Sequence, residues 1–394
     1  MNEPMVAATS SRRGSMITWA VLGIVGRLPV ASTFVVLVMS ASSAESLHLG
    51  LQLAGAASIA TGIALPLWGL ALDTWAAKRV LSCANILTAL TFTAEWLAFT
   101  VHADAALLFC LAIVHGAAVG AIIAGYRTSI PALVPASRVL RTNVLDVALI
   151  ESAYLCGPLI VGAAAAVLSP ETGLLILACA ALASTATLRW SSNPSGPANE
   201  RQDRRPREFR AMAVVVCGLG CGLLNGFVFA GASQSAVELL PGSSGLAAVT
   251  AMISLGSMIA GLVFALSSQP DRVRIGHLSL VAAAYASAVL IISVLASANQ
   301  TWMTLAGLLV VGLPIAPLAS IPILHITSTI PLGGQSRWTG LFHSLILCGT
   351  GIGNSLSGTM FTHLSASQIF VRTAFVGAVI TGVLRLLTRR RTGS

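Results

Sequence analysis

Charged residues are scarce in this chain of 394 residues. They make up 9% of it, whereas ordinary globular domains carry about 25%. So few charges do not cover the surface of a soluble protein of this length. The scarcity also excludes an intrinsically disordered chain, because such chains are polar and rich in charge. Cysteine is scarce as well, with 7 residues, which excludes a disulfide-stapled scaffold.

Apolar residues are correspondingly abundant, at 56% of the chain with a mean hydropathy of +0.87. Many of them form runs of about 20 residues or more, the length that an α-helix needs to cross about 30 Å of hydrocarbon. A membrane β-barrel would instead show alternating segments of about 10 residues. The sequence therefore predicts an all-α membrane protein with many spans.

The basic residues fall into segments that are separated by room for two membrane crossings. These segments contain Arg12 and Arg13; Lys78 and Arg79; Arg127, Arg138 and Arg141; residues 189–210; Arg272 and Arg274; Arg337; and residues 385–391. The hairpin tips between them carry Glu45, Asp104, Glu171 and Glu238, and neither Lys nor Arg. This positive-inside pattern predicts that both termini are cytoplasmic and that the number of spans is even.

Twelve spans fit this pattern. Their approximate bounds are 16–40, 50–72, 80–101, 105–127, 143–168, 172–190, 211–237, 246–267, 276–297, 302–327, 339–360 and 367–387. A polar stretch with three prolines follows the sixth span. We therefore predict a cytoplasmic tail (1–15), a six-helix bundle (16–190), a cytoplasmic linker (191–210), a second six-helix bundle (211–388) and a cytoplasmic tail (389–394). Two equal halves are typical of transporters with a site between repeats.

The sequence offers no resident cofactor. It contains no G-x-x-x-x-G-K-[ST] loop, so ATP-driven transport within the chain is not expected. Cys217 and Cys221 lie on one helix face without neighbouring His or carboxylate, so we expect no metal site. We interpret all seven cysteines as small buried apolar residues. The placement of the basic residues explains the net charge of +9 without a nucleic-acid partner, and no catalytic cluster suggests an enzyme.

Two segments resemble motifs of one family. The loop after the second span contains Gly69, Asp73, Lys78 and Arg79. This loop is similar to the signature loop of the major facilitator superfamily, although Thr74 and Ala76 replace its usual Arg and Gly. The fifth span contains Gly157, Pro158 and Gly162, in a pattern similar to the antiporter motif of drug-efflux members. The Arg-Leu-Pro that begins at Arg27 also resembles bacterial efflux-like members.

This resemblance implies a monomeric transporter with twelve transmembrane helices in two bundles. It implies that Asp73 approaches the cytoplasmic end of a helix in the other half and holds that side closed, where a carboxylate is favoured at a helix N-terminus by about 0.3–1 kcal/mol. The alternative is a solvated turn that merely obeys the positive-inside rule. The resemblance further implies that spans 1 and 5 are neighbours around the cavity of the first half.

Two opposite charges lie deep in those two spans. Arg27 is about 16 Å into span 1 and Glu151 is about 12 Å into span 5, both counted from the cytoplasmic side. A charge at this depth costs about 2.5–3.5 kcal/mol and normally faces protein or water. We expect Arg27 and Glu151 to pair. The pair either couples proton movement or binds substrate, or it is a static salt bridge, and the sequence leaves both interpretations open.

His115 lies near the middle of span 4. In proton-coupled members of the family an Arg stands three residues before a Gln-Gly pair; here Ala112 precedes His115-Gly116, so Arg27 would supply the missing charge. His115 itself would titrate near neutral pH, or it is a hydrogen-bonded packing residue. Asn225 and His343 would line the second half of a cavity.

We expect two further carboxylates to lie near helix ends, away from the centre of the membrane. We expect Asp146 to pair with Arg138 or Lys78 near the cytoplasmic end of span 5. We place Glu95 near an external helix end, where its side chain reaches the interface.

These observations predict a secondary active transporter in the inner (plasma) membrane. The resemblance to efflux members implies proton-coupled efflux by alternating access, and the few polar groups of the second half favour a small, largely apolar compound. The partners are then the substrate, protons and the lipid bilayer. Two alternatives stay open: uptake of a nutrient or metabolite by the same fold, and a membrane sensor or assembly partner that does not transport.

Overall fold

A computed structural model describes residues 23–44, 46–133, 139–188, 210–240, 243–267, 274–330, 332–360 and 363–389. The helices in these residues, numbered by span, are α1 (Leu28–Ala44), α2 (Leu47–Thr74), α3 (Ala77–Thr100), α4 (Ala105–Leu133), α5 (Val139–Val167), α6 (Thr172–Leu188), α7 (Ala211–Leu239), α8 (Ser243–Ser267), α9 (Leu278–Ser297), α10a (Thr301–Gly312), α10b (Ile315–Thr329), α11 (Leu332–Met360) and α12 (Ala366–Thr388). A 3₁₀ turn, Ile275–His277, precedes α9. The predicted all-α membrane fold is confirmed.

Most of these helices are long and apolar enough to cross a membrane. Ten candidate spans meet both conditions within the described residues. Of the remaining two, α6 has a shorter apolar stretch at Thr172–Ala186, and α11 is rich in glycine, serine and threonine. The twelve helical spans of the described residues are consistent with the predicted count.

Two predicted spans are interrupted. In the first, residues 23–25 are helical, the chain turns at residues 26–27, and α1 begins at Leu28. In the tenth, a turn at Leu313 and Pro314 separates α10a from α10b. Proline has no N–H to continue the helical hydrogen bonds, which explains the second break.

The two ends of the helical bundle differ in charge. At the basic end, helices start or stop next to Lys78, Arg79, Arg210, Arg274 and Arg389; at the acidic end, they do so next to Asp104, Glu171 and Glu238. Successive spans run in alternating directions between these ends. The names basic end and acidic end refer to charge and not to a compartment.

The same helix pairs pack in each half of the chain. In α1–α6 the contacting pairs include α1–α2, α1–α5, α1–α6, α2–α4, α3–α4 and α3–α6. Each pair has its counterpart six helices later: α7–α8, α7–α11, α7–α12, α8–α10, α9–α10 and α9–α12. The two halves meet chiefly through α2 with α11 and α5 with α8, which are themselves counterparts. The contacts between the halves are therefore as symmetric as the contacts within them.

Glycines bring α2 and α11 into backbone contact. A methyl group added at Gly62 would lie 2.6 Å from Cys348 Sγ and 2.8 Å from the Ser344 carbonyl oxygen, and one added at Gly351 would lie 2.5 Å from the Gly55 carbonyl oxygen. Such distances leave no room for a side chain, as is usual where membrane helices approach closely.

The close approach of α2 and α11 is not repeated at two glycines nearer the basic end. Gly69 lies seven residues after Gly62 and therefore near the same helix face, yet no described atom lies within 4 Å of the place where its side chain would begin. The same holds for Gly340 on α11. Arg337 is exposed. In the described residues, the backbones of α2 and α11 meet at Gly55, Gly62 and Gly351, and open space lies beside Gly69 and Gly340.

Several sequence predictions fall outside the described residues. They concern the N-terminal tail with Arg12 and Arg13, the linker up to residue 209, the segment with Asp271 and Arg272, and the side chains of Asp73, Arg127, Arg138 and Arg141. Nothing is said of their structure.

The cysteines are not all buried. Cys83, Cys110, Cys156 and Cys179 are exposed, Cys217 and Cys221 are buried, and Cys348 is intermediate. The expectation of seven buried cysteines was wrong, because an apolar span presents small residues to lipid as readily as to its neighbours.

Candidate transport site

Arg27 forms an ion pair with Asp146, not with Glu151. Its Nη2 donates to Asp146 Oδ1 at 2.5 Å, and both side chains are almost fully buried. The expected Arg27–Glu151 pair is therefore wrong, and so is the expected peripheral role of Asp146. The correction has a geometric reason: five residues turn an α-helix by about 140°, so Asp146 and Glu151 leave α5 on different faces.

The chain turn at residues 26–27 places the guanidinium. The Arg27 N–H donates to the Ile24 carbonyl at 3.1 Å, which ends the first helical segment just before α1. The guanidinium carbon lies 5.1 Å from the ring centroid of Tyr126 on α4, within the range of a cation–π contact. Arg27 thus links α1 to α4 and α5, and its buried Nη1 has no hydrogen-bond partner among the described residues.

Glu151 lies at the contact between the two halves. It is half-exposed and lies beside Ser257 of α8. Both residues are roughly 20 Å from a helix end, hence near mid-depth. Among the carboxylates at this depth in the described residues, Glu151 is the one that faces the second half.

His115 is bound on both sides of its ring. Nδ1 lies 3.0 Å from Glu95 Oε1, and Nε2 lies 2.9 Å from Thr33 Oγ1. The ring also packs on Phe92, with centroids 4.3 Å apart. His115 and Glu95 expose 0% and 1% of their surfaces, so the group is closed to solvent and joins α1, α3 and α4.

The expectation that Glu95 reaches the interface was wrong. Glu95 is only about 8 Å from the acidic end of α3, but helical side chains lean towards the N-terminus of their helix. Because α3 begins at the basic end, the carboxyl leans into the membrane and meets His115. Sequence reasoning used the depth of the Cα atom and missed this direction.

An aromatic contact joins the two halves next to this group. Phe34 of α1 and Phe229 of α7 have ring centroids 5.0 Å apart. Each lies about 15 Å from the acidic end of its helix. Phe34 directly follows Thr33, the residue that contacts His115. No feature of the sequence predicts this contact, because phenylalanine is an ordinary residue in an apolar span.

The polar residues predicted for the second half have local partners. Asn225 accepts a hydrogen bond from the Tyr285 hydroxyl at 2.7 Å, which ties α7 to α9. His343 Nδ1 lies 2.8 Å from the Thr339 carbonyl oxygen of its own helix. A carbonyl only accepts, so Nδ1 carries a hydrogen. Both residues are half-exposed.

The loop motif connects two helices by a very short link. Gly69 and Asp73 belong to the last turns of α2, and Lys78 and Arg79 belong to the first turn of α3. Lys78 is half-buried and Arg79 is exposed. The gating contact expected for Asp73 lies outside what the structure describes, because its side chain is not described.

The glycines of the fifth-span motif allow close packing. A side chain at Gly157 would meet Ser32 of α1, and one at Gly162 would meet Ala247 of α8. Gly157 thus serves packing within the first half and Gly162 serves the contact between halves. Pro158 lies inside α5 and is buried. Within the described residues, no group of three or more His, Cys, Asp or Glu side chains is arranged to hold a metal ion.

Fold and site together define a class: a helical membrane protein of two repeated six-helix units with ion pairs buried in the first. A family model described as Major Facilitator Superfamily matches residues 15–328. The chain belongs to the major facilitator superfamily, and it has the fold of the transporters in that family.

Solved structures agree with this assignment. The nucleoside transporter NupG superimposes with a TM-score of 0.67 at 14% identity, covering 96% of this chain and 100% of that one. A mutant of NupG gives 0.68 at 14% identity, with 95% and 100% covered. The human organic anion transporter MFSD10 (TETRAN) gives 0.65 at 13% identity, with 93% and 99% covered. A comparison with curated protein sequences finds no significant match.

Proposed function

We propose that this protein is a secondary active transporter that exports a small, largely apolar compound in exchange for protons. The observation that carries the proposal is the geometry between the halves. They are in contact near the acidic end, open space lies beside Gly69 and Gly340 nearer the basic end, and a carboxylate, Glu151, lies between them at mid-depth. A path that is closed on one side is what alternating access requires of one of its two states.

The acidic-end closure involves apolar and small groups. Phe34 meets Phe229, and Gly162 meets Ala247. Asn225 and His343, the polar residues predicted for the second half of the cavity, already bind local partners. A wall of this kind suits apolar surface. A sugar would leave buried polar groups unmatched, at about 1–3 kcal/mol each.

The side of opening follows from the charges. Basic residues mark the cytoplasmic side of a membrane protein, which supports an opening that faces the cytoplasm. Both termini and the linker then lie in the cytoplasm, and the protein is a monomer of the inner (plasma) membrane. Cysteine labelling near Pro197 and at Ser394 tests this placement. Reaction with an impermeant reagent from outside intact cells would contradict it.

Closure of the cytoplasmic side would extend the contact between α2 and α11. Extending their antiparallel register from Gly62 brings the last turn of α2, with Asp73, to the first turns of α11. A carboxylate there is stabilised by the helix N-terminus. We therefore assign Gly69, Asp73, Lys78 and Arg79 to a cytoplasmic gate.

Everted membrane vesicles test the function. Their lumen is the former outside, so an acid lumen should drive accumulation of ethidium, used here as a lipophilic probe. Glu151→Gln should lower this accumulation by about tenfold, within the usual 5–150-fold range for linked sites. Glu171→Gln, a carboxylate at the acidic end, is the matched control and should transport as the parent protein does. Accumulation that ignores both the pH gradient and Glu151→Gln would refute proton-coupled export.

Uptake of a polar solute is the second candidate. It is favoured by the similarity to NupG and MFSD10, which are named as a nucleoside and an organic anion transporter. Radiolabelled uridine and p-aminohippurate in right-side-out vesicles provide that test. Uptake of either, without ethidium export, would replace the first proposal. Flux of none of the three would favour a protein that senses or assembles without transport.

A further inference from the structure

The hydrogen bonds of Thr33 restrict the protonation of His115. Thr33 Oγ1 lies 2.7 Å from the Pro29 carbonyl, to which it donates. Its hydroxyl has one hydrogen, so with this bond in place it accepts from His115, and Nε2 must carry a hydrogen. The contact between Nδ1 and Glu95 also needs a hydrogen, placed on one side or the other. Glu95 and His115 together then hold one proton more than a carboxylate and a neutral imidazole.

The same atoms accommodate loss of that proton. If the Thr33 hydroxyl turns from the Pro29 carbonyl to Nε2, it becomes the donor, and Nε2 becomes the acceptor. Nδ1 keeps its hydrogen and donates it to the Glu95 carboxylate. Every ring nitrogen is satisfied in both states, and the change needs only a hydroxyl rotation. The group is therefore arranged to bind and release one proton without repacking.

Burial favours the protonated state when the site is dry. With the proton, Glu95 and His115 are neutral together; without it, they carry one negative charge. A buried charge without a counter-ion is strongly disfavoured. Arg27, a buried basic side chain of the first half, is already paired with Asp146. Release therefore requires water or a change in the surroundings.

The neighbouring helices contribute no competing titratable partner. α1 provides Thr33, and α3 provides Glu95 and Phe92. On the α2 side, Thr61 donates to the carbonyl of Gly116, next to His115. On α5, Asp146 binds Arg27 and Glu151 lies at α8. Within the described residues, no further titratable side chain, including those of α6, bonds to His115 or Glu95.

We propose that Glu95, His115 and Thr33 form a proton-binding site, separate from Glu151, that releases its proton from His115 Nε2 on the side of the half-buried Thr33 hydroxyl. Thr33 precedes Phe34, so the site is one residue from the contact that closes the acidic end. The link to transport rests on the proposed function. The binding of a proton does not, and it is measurable without any substrate.

Nuclear magnetic resonance of the full chain, labelled with ¹⁵N-histidine in lipid bilayers, tests the site. The chain has seven histidines, and loss of one signal in His115→Gln assigns the residue. We expect the Nε2 signal of His115 to be that of a protonated nitrogen in acid and that of an unprotonated nitrogen in alkali. In Glu95→Gln the protonation of Nε2 should not depend on pH. An Nε2 signal that does not change with pH in the parent protein would overturn the proposal.

Variants of Thr33 separate the proton switch from packing. Thr33→Val removes the hydroxyl at similar volume and should shift the titration of His115, whereas Thr33→Ser should restore it. Thr93→Val is the matched control, because the Thr93 hydroxyl binds the Ala89 carbonyl of its own helix. An equal titration in Thr33→Val and the parent protein would count against the switch.

Transport then distinguishes this proposal from the proposed function. Glu95→Gln should abolish ethidium accumulation driven by pH, while ethidium counterflow at equal pH stays within about twofold of the parent protein. This twofold limit on the change in counterflow lies below the 5–150-fold effects that are usual for coupled sites. If the parent protein transports nothing, the proposed function fails, and the resonance result still decides the proton site. Full pH-driven accumulation in Glu95→Gln would overturn the site's link to transport.

Discussion

The two halves of this protein share a packing scheme and differ in chemistry. Corresponding helix pairs contact each other in α1–α6 and in α7–α12. Yet the first half buries the pairs Arg27–Asp146 and Glu95–His115, whereas the described second half contains neutral bonds such as Tyr285–Asn225. Packing depends on small residues at helix contacts, and both halves have them. Charge chemistry depends on a few side chains, and these can change in one half without loss of the fold.

We expect the largest effect on stability from a substitution of Arg27 in the first half. Arg27→Leu leaves Asp146 buried without its partner and should destabilise the protein by about 3–5 kcal/mol. Arg27→Leu with Asp146→Leu should recover much of that loss, because no buried charge remains. Thermal unfolding in detergent measures both. If the double variant is as unstable as the single one, packing rather than charge explains the effect. We expect the single variant to lose transport.

The contact between the halves is expected to respond next. Gly62→Leu forces a side chain against Cys348 and Ser344, at a cost of about 1–3 kcal/mol for overpacking. Gly340→Leu on α11 has open space in the described residues and serves as the matched control. Apparent unfolding temperatures of the two variants make the comparison. Equal temperatures would mean that α2 and α11 do not hold the halves together.

A smaller effect is expected from the aromatic contact across the halves. Phe34→Leu keeps an apolar side chain but removes the ring pair with Phe229, which is worth about 0.5–1.5 kcal/mol. Closure of the acidic side should weaken, so a cysteine placed near mid-depth should react faster with an impermeant maleimide from outside. Phe109→Leu, elsewhere in the first half, is the control. No change in labelling would exclude Phe34 from the closure.

The smallest effect is expected in the second half. Tyr285→Phe removes the hydroxyl that binds Asn225, and such bonds in membrane proteins are worth about 0.6–1.7 kcal/mol. Unfolding in detergent should show a loss well below that of Arg27→Leu. A loss of equal size would show that the second half also depends on a buried polar centre, and the contrast between the halves would disappear.

The sequence was sufficient for the fold because the fold depends on patterns that repeat. Long apolar runs predicted the helical spans. The two motifs that contain Gly69 and Gly157 predicted the family. The interruptions at residues 26–27 and at Pro314 were missed, since a hydropathy pattern does not report a local turn within an apolar run.

The polar partners were harder to predict because they depend on direction as well as depth. Arg27 and Glu151 were matched by their heights in the membrane, but Asp146 leaves α5 on the face that α1 contacts. Glu95 was placed by its distance from a helix end, although its side chain leans into the membrane. His115 was identified as a candidate, and the structure supplied Glu95 and Thr33. Helix rotation, which sequence spacing alone does not fix, decided each case.

The contact between α2 and α11 also has a consequence for how the halves move. Where Gly55, Gly62 and Gly351 meet backbone atoms, no long side chains interlock across the seam. Rolling one helix over the other then requires few rotamers to change, and few are frozen when the contact re-forms. The two helices can therefore move past each other at a low cost in free energy. A small difference in free energy, such as the binding of one proton, would then decide on which side of the membrane the protein is open.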